Sequence, residues 1–346
     1  MQENDTLKQF LDAGLALFNE KKYLEAIKVY KTAFAIVKDI DKSSLGTLYT
    51  RLGNAYYHLD DKDKYIYYYE KNLKEFPKGQ SLIFARLGHA YYLIDSDKSL
   101  EYYNKALNFS DWQIWYAVNK LFTMTKSSVY EQENIKEESE FESEKIKNKF
   151  FENIVKYTHE DKKIKDKKLN IGYLSSDCYN HIMMNYMIPI WENHNKEKFN
   201  FYIFNCSSTE DETTKKIKNL GFEVLNCSKL DCTELAETIY NKKIDILIDL
   251  GGYTHLKSFC ALYKPAPIIM LYLGYLNTLG MKEVDYIITD KYAIPDDKAY
   301  LYTEKPLYLD KGYNIFSYSS IPDISENPFI KNGYITFGSF NCPSKI

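Results

Sequence analysis

His181 is the side chain here best suited to hold or move a proton near neutral pH, and its setting is distinctive. An apolar run at 169–174 gives way to Ser175-Ser-Asp-Cys-Tyr-Asn-His181, and an amphipathic stretch at 183–193 follows. Strand, turn, helix is the plainest reading of that pattern. An imidazole at such a turn can donate or accept a proton near pH 7. The first turn of the helix behind it also presents free N–H groups to an anion. A blander reading stands beside this one: a histidine at a helix start serves as a cap or a surface residue. Asp177 is as well suited to capping that helix as to touching a ligand.

Three further loops carry similar promise. Gly251-Gly-Tyr-Thr-His255 follows a run at 245–250, Gly274-Tyr-Leu-Asn-Thr-Leu-Gly280 follows one at 267–273, and Asp290 follows one at 286–289. Glycine lets a backbone approach a ligand closely, although glycine turns after strands are common for structural reasons alone.

Strands at 169–174, 200–205, 223–226, 245–250, 267–273 and 286–289 are expected to position these loops. Helices are expected at 183–193, 212–220 and 233–241. Short apolar runs alternating with amphipathic segments predict a parallel sheet with crossover helices, a Rossmann-like unit. Its ligands sit beyond the carboxyl ends of the strands.

Ahead of this unit, three segments align with one another. Ala13-Gly14 with Leu17, Ala26, Tyr30 and Ala33 is the first; Leu52-Gly53 with Tyr56, Tyr69 and Pro77 is the second; Leu87-Gly88 with Tyr91, Tyr103 and Ala106 is the third. The spacing is close to the roughly 34-residue period of tetratricopeptide repeats, with a small insertion at 40–44. Glycine on one helix and alanine on the next let the pair approach closely, and one hairpin cannot bury its face alone, so stacking follows. Tyr56, Tyr57, Tyr91 and Tyr92 read as packing residues before they read as ligand anchors. Residues 111–125 continue the helices, 131–157 form a charged helical connector, and 160–168 a polar linker. The expected organisation is α + α/β: a solenoid at 1–127, a connector at 128–168, a Rossmann-like lobe at 169–334, and the start of a further lobe at 335–346.

Composition narrows the function classes. Lys+Arg 45 against Asp+Glu 48 leaves a net charge of −3, with none of the basic excess of nucleic-acid binders. No apolar run approaches the roughly 20 residues that span a bilayer, and the first residues lack a secretory signal pattern. Cys178, Cys206, Cys227, Cys232, Cys260 and Cys342 form no CxxC pair, which points to reduced structural thiols and a cytoplasmic setting. The acidic residues form no ligand cluster, so no metal is implied.

The order of motifs carries a family resemblance. Gly172-Tyr-Leu-Ser-Ser-Asp177 with His181, Asp249-Leu-Gly-Gly-Tyr-Thr254, Ala261-Leu-Tyr-Lys-Pro-Ala-Pro267, Leu273-Gly-Tyr-Leu-Asn-Thr-Leu-Gly280, Asp285-Tyr-Ile-Ile-Thr-Asp290, Tyr302-Thr-Glu-Lys305 and Phe337-Gly-Ser-Phe-Asn341 follow in sequence. Together they resemble the catalytic region of the tetratricopeptide-linked protein O-GlcNAc transferases, including the plant SPINDLY-type relatives. The resemblance implies a two-lobed GT-B fold that transfers a sugar from a nucleotide donor, UDP-GlcNAc or another such as a fucose donor, to Ser or Thr of proteins. No separate cofactor is implied, and the repeat groove would receive protein or peptide acceptors. It makes His181 the active-site histidine and offers Asp177, Lys264, Gly274, Thr278 and Gly280 as substrate contacts. Lys264 equally suits loop support, Thr278 and Gly280 suit ordinary turn geometry, and His255, where the family varies, reads as a loop residue. Six positions depart from the family pattern: Ile182, Asn185, Tyr253, Lys264, Leu276 and Asn277. Lys264 stands for an arginine and cannot make its bidentate contacts. The family's second lobe, with most of the nucleotide pocket, is expected after Phe337–Asn341, so the chain to Ile346 is expected to be inactive alone. The alternative is a peptide-binding repeat module with a degenerate transferase lobe.

Overall fold

In this computed structural model residues 2–38, 40–78, 80–127, 129–159, 168–316 and 323–339 are described. Residues up to Val129 form one compact unit and those from Tyr130 a second.

The first unit is a run of helical hairpins: α1 (Gln2–Asn19) with α2 (Tyr23–Ile36), α3 (Lys42–His58) with α4 (Lys62–Glu75), and α5 (Ser81–Tyr91) with α6 (Ser96–Leu107), followed by α7 (Ile114–Met124). Asp41, Asp61 and Asp95 cap α3, α4 and α6 by accepting the N–H three residues on, which satisfies donors the helix itself leaves free. The glycine signal has a direct structural cause. A Cβ at Gly14 would enter the Tyr30 ring, one at Gly53 the Tyr69 ring, and one at Gly88 would lie 3.0 Å from the Tyr103 ring. Tyr30 and Tyr69 are fully buried, and Tyr103 is 1% exposed. The tyrosines set aside as packing residues do pack: Tyr56 stacks on Tyr68, and Arg86 sits over Tyr57.

Gly53→Ala separates two effects of opposite sign. Helix propensity favours alanine by about 1 kcal/mol, whereas overpacking a filled core costs about 1–3 kcal/mol. Packing should win, so urea melts followed by helical circular dichroism are expected to show a net destabilisation.

In the second unit α8 (Gln132–Phe150) comes first, so this helix is counted with the α/β unit; residues 151–159 beyond it are not helical. Then follow β1 (Leu169–Ser175), α9 (Ile182–Glu192), β2 (Phe199–Asn205), α10 (Glu212–Lys218), β3 (Glu223–Asn226), α11 (Cys232–Asn241), β4 (Ile246–Asp249), β5 (Ile268–Tyr272), β6 (Tyr286–Thr289) and β7 (Lys305–Tyr308). The sheet is wholly parallel in the order β3-β2-β1-β4-β5-β6-β7. Six strands lie where the apolar runs place them; β7 and the 3-10 turn Leu256–Tyr263 are additions. Trp191, Met187 and Cys178 pack against Ile203 and Tyr173 to form the core on one face. A short helix α12 (Pro328–Asn332) follows, and every residue from 323 to 339 is exposed. The rest of the expected 335–346 segment, and most of the polar linker, lie outside the described residues.

Candidate functional site

Strand order reverses between β1 and β4: β2 and β3 lie on one side of the sheet, and β4 to β7 on the other. In such sheets the loops leaving the two strands at the reversal turn opposite ways and leave a crevice at their carboxyl ends. The register aligns Leu174 with Asp249 and Ser175 with Asn205, so these strands end together and their loops gather at one edge.

His181 stands on this edge as the N-cap of α9, where its Nδ1 accepts the Met183 N–H at 3.3 Å. The capping residue is therefore His181 and not Asp177. Asp177 Oδ2 lies 3.8 Å from Nδ1, and the Asp177 N–H donates to Ser175 Oγ at 3.0 Å. An accepting Nδ1 places the ring proton on Nε2, so the neutral imidazole is a donor at its outer nitrogen. The loop is pinned from the next crossover. Asp211, the N-cap of α10, accepts the Asn180 N–H at 2.7 Å, and Thr214 Oγ1 donates to the Cys178 carbonyl at 2.8 Å. Burial pushes the Cys178 thiol up to about 12, so no thiolate nucleophile accompanies His181 at neutral pH.

Across the crevice, Asp249 ends β4 at 3% exposure. Its Oδ1 accepts the Gly251 and Gly252 N–H groups at 3.0 and 3.1 Å, and His255 Nε2 lies 3.5 Å away. Burial opposes its ionisation, but His255, Ser258 and the Gly251 N–H outweigh burial and hold the carboxyl below its usual range. The ring of His255 occupies the space where a Gly251 Cβ would stand. The Gly274 N–H donates to the Leu250 carbonyl at 3.1 Å, and a Cβ at Gly274 would strike that same carbonyl. Close backbone approach is thus required at both loops.

The structure brings His181, Asp177 and Gly274 to this carboxyl edge, and takes three other candidates elsewhere. Lys264 precedes β5, at the amino edge of the sheet. Its Nζ donates to Asp285 Oδ2 at 2.6 Å and to the Glu283 carbonyl at 2.9 Å, and Asp285 also accepts the Ile269 N–H. Thr278 Oγ1 accepts the Gly280 and Thr303 N–H groups at 3.1 Å each, as the loop leaves β5 and runs toward the start of β7. Gly280 has φ +65°, and a Cβ there would collide with the Ser139 and Glu140 backbone of α8. The Lys264 and Thr278 side chains tie loops to the sheet, and the bare Gly280 backbone lets α8 approach, so loop support and turn geometry suit all three.

Two residues stand out here that sequence reasoning passed over. His255 was read as a loop residue, yet its side chain is 8% exposed beside Asp249, and both ring nitrogens are buried without a hydrogen-bond partner among the described residues. Glu304 sits in the quoted Tyr302-Thr-Glu-Lys305 motif without a role. It is 1% exposed, and burial above all pushes its carboxyl up to about 7.

Helical repeats ahead of a Rossmann-type lobe with a strand-order reversal between β1 and β4 define an α/β protein with an attached solenoid. Residues 138–330 match the glycosyl transferase family 41 model, and the chain belongs to that family. It is 32% identical over 154 residues to a probable UDP-N-acetylglucosamine–peptide N-acetylglucosaminyltransferase, SEC, of Arabidopsis thaliana; the match covers 44% of this chain and 16% of that protein. It is 31% identical over 192 residues to the SPINDLY protein of Oryza sativa subsp. japonica, which bears the same probable activity in its name; there the match covers 53% of this chain and 20% of that protein. The chain thus spans at most about a fifth of the length of these curated relatives. Among solved structures, a mutant Thermobaculum terrenum O-GlcNAc transferase superposes with TM-score 0.69 at 18% identity, over 91% of this chain and 59% of that one. At that identity the likeness is one of fold: the solenoid and the Rossmann-like lobe.

Proposed function

We propose that this chain carries the repeat array and one lobe of a nucleotide-sugar-dependent protein O-glycosyltransferase, with the β1/β4 crevice as its sugar-transfer edge. The observation that supports this most is His181, fixed as the N-cap of α9 with Nδ1 committed to the Met183 N–H. That commitment directs Nε2–H outward as a donor to a ligand oxygen. The residue therefore suits holding a sugar or acceptor oxygen better than abstracting its proton. A Ser or Thr hydroxyl oxygen would bond to the sugar C1 as the C1–O bond to the diphosphate breaks on the opposite face, with inversion through an oxocarbenium-like transition state. The hydroxyl proton would end on the released diphosphate. Asp177 would steady the ring once it is protonated, and the close Gly251 and Gly274 backbones would leave room for the sugar.

Acceptor peptides would lie on the repeats. A cavity of about 530 Å3 there is lined by apolar Leu15 and Phe76 together with Thr47, Thr50, Arg51 and Asn54, a mixed surface that would suit a peptide. Cys178, Cys206, Cys227, Cys232 and Cys260 are all free thiols, which favours a cytoplasmic setting. No helix among the described residues is long and apolar enough to cross a membrane.

The test is transfer from radiolabelled UDP-GlcNAc, with GDP-fucose in parallel, to Ser/Thr peptides by the protein purified from its own source. Loss of a positioned donor costs about a hundredfold or more, so His181→Ala is expected to lower kcat/KM by that order. His181→Asn, which keeps a capping oxygen, should preserve stability without restoring rate. Equal rates for wild type and His181→Ala would remove the histidine from the reaction. No transfer from either donor would remove the function itself.

A further inference from the structure

Glu304 sits behind the crevice, with Oε1 accepting the Leu279 N–H at 2.8 Å and Oε2 lacking a hydrogen-bond partner among the described residues. Thr278 of the loop after β5 also bonds to it; Glu140 of α8 acts on its charge, and the charge of Glu304 is felt by Tyr253, Tyr275 and Tyr302. Tyr253 also faces Glu142, which pairs with Lys145, while Glu140 lies 3.9 Å from Lys136. The groups bonded to the carboxyl, the Leu279 and Glu304 N–H groups and Thr278, are neutral, and the nearby charge of Glu140 is negative. From Leu279 the connection continues forward. Its carbonyl accepts the Tyr253 hydroxyl, and its side chain fills the space beside Gly252. Tyr253 and Gly252 belong to the turn whose N–H groups rest on Asp249.

We propose that Glu304 is a positioning residue for the crevice: by gripping the Leu279 N–H it holds Leu279 against Tyr253 and so sets the Gly251–Thr254 turn beside Asp249. This rests on the reading of the crevice as the sugar-transfer edge. The burial of this carboxyl adds a pH dependence, with the Glu140 charge acting in the same direction. A carboxyl raised by burial takes up a proton on folding, so its contribution to stability falls as pH rises from the ordinary carboxylate range through about 7. Ionised Glu304, buried and facing Glu140, then favours opening of the loop over the closed, protonated state.

Amide hydrogen exchange on the whole chain, corrected for intrinsic rates, tests the grip without any substrate. In wild type, protection of segments 250–256 and 274–280 should fall about tenfold between about pH 6 and about pH 8.5, while β1 stays unchanged. Glu304→Gln keeps an acceptor without the charge, so protection should hold at both pH values. Glu304→Asp, which withdraws the oxygens by one methylene, should lose it at both. Equal protection in all three proteins, or a loss spread evenly over the sheet, overturns the proposal. In the transfer assay Glu304→Asp should raise the donor KM several-fold, with Glu304→Gln restoring it; loosened loops with an unchanged KM also overturn it. If wild type transfers no sugar, the functional reading fails and exchange alone decides whether Glu304 holds the turn.

Discussion

Asp249→Ala is expected to destabilise the α/β unit by roughly 3–5 kcal/mol, the range for removing one partner from a buried charged cluster. One oxygen serves the Gly251 and Gly252 N–H groups with His255 close by, and none of these gains a substitute from alanine. Each buried donor left unmade costs about 1–3 kcal/mol, so two N–H groups alone account for most of that range. Asp249→Asn should fall between, because an amide oxygen still accepts from the two glycines. Urea melts read by the fluorescence of Trp191, which is fully buried in this unit, measure both, provided Trp112 and Trp115 are replaced by phenylalanine in the background protein. The pH dependence has a definite sign. The folded carboxyl is held below its usual value, so its contribution is complete above about pH 4 and is lost as pH falls through the lower folded value. The alanine variant should lack that acid limb; if it melts like wild type at neutral pH, Asp249 does not organise the turn.

The second large effect is expected at Gly280, with a built-in comparison at Gly333. Both have positive φ, +65° and +73°. A left-handed conformation costs an L-residue about 1–2 kcal/mol, and that is all Gly333→Ala should show, since nothing lies within 4 Å of its Cβ position. Gly280→Ala adds a collision with the α8 backbone at Ser139 and Glu140, which no side-chain rotation relieves. Its total should reach about 3 kcal/mol or more, with α8 losing hydrogen-exchange protection first. Equal costs at the two positions would mean that α8 does not bear on this loop.

Much of the fold was legible because its causes are local. Gly14, Gly53 and Gly88 pair with Tyr30, Tyr69 and Tyr103 of the following helix, a spacing the sequence displays directly. The strands before β7 are apolar runs bounded by turns. β7 is not: Lys305-Pro-Leu-Tyr308 is short, edge-placed and partly exposed, and it lacks the pattern of a buried strand. At the carboxyl edge, the strand-turn-helix signal around His181 matches the fold, whereas Lys264 lies at the amino edge, in keeping with loop support. Its motif neighbours run on to the carboxyl-edge loops, but the 3-10 turn Leu256–Tyr263 carries the chain back to the amino edge before β5 begins. Glu304 was invisible for a different reason. A glutamate beside a lysine reads as solvated charge, and only the arrival of α8 and the loop after β5 buries it.

The bonds from Asp211 and Thr214 to the histidine loop carry a consequence for biosynthesis. The residues that tether Asn180 and Cys178 emerge some thirty positions later, past β2. A nascent polypeptide that has exposed His181 cannot yet lock it in place. The loop before His181 gains these two bonds only once the second crossover has docked.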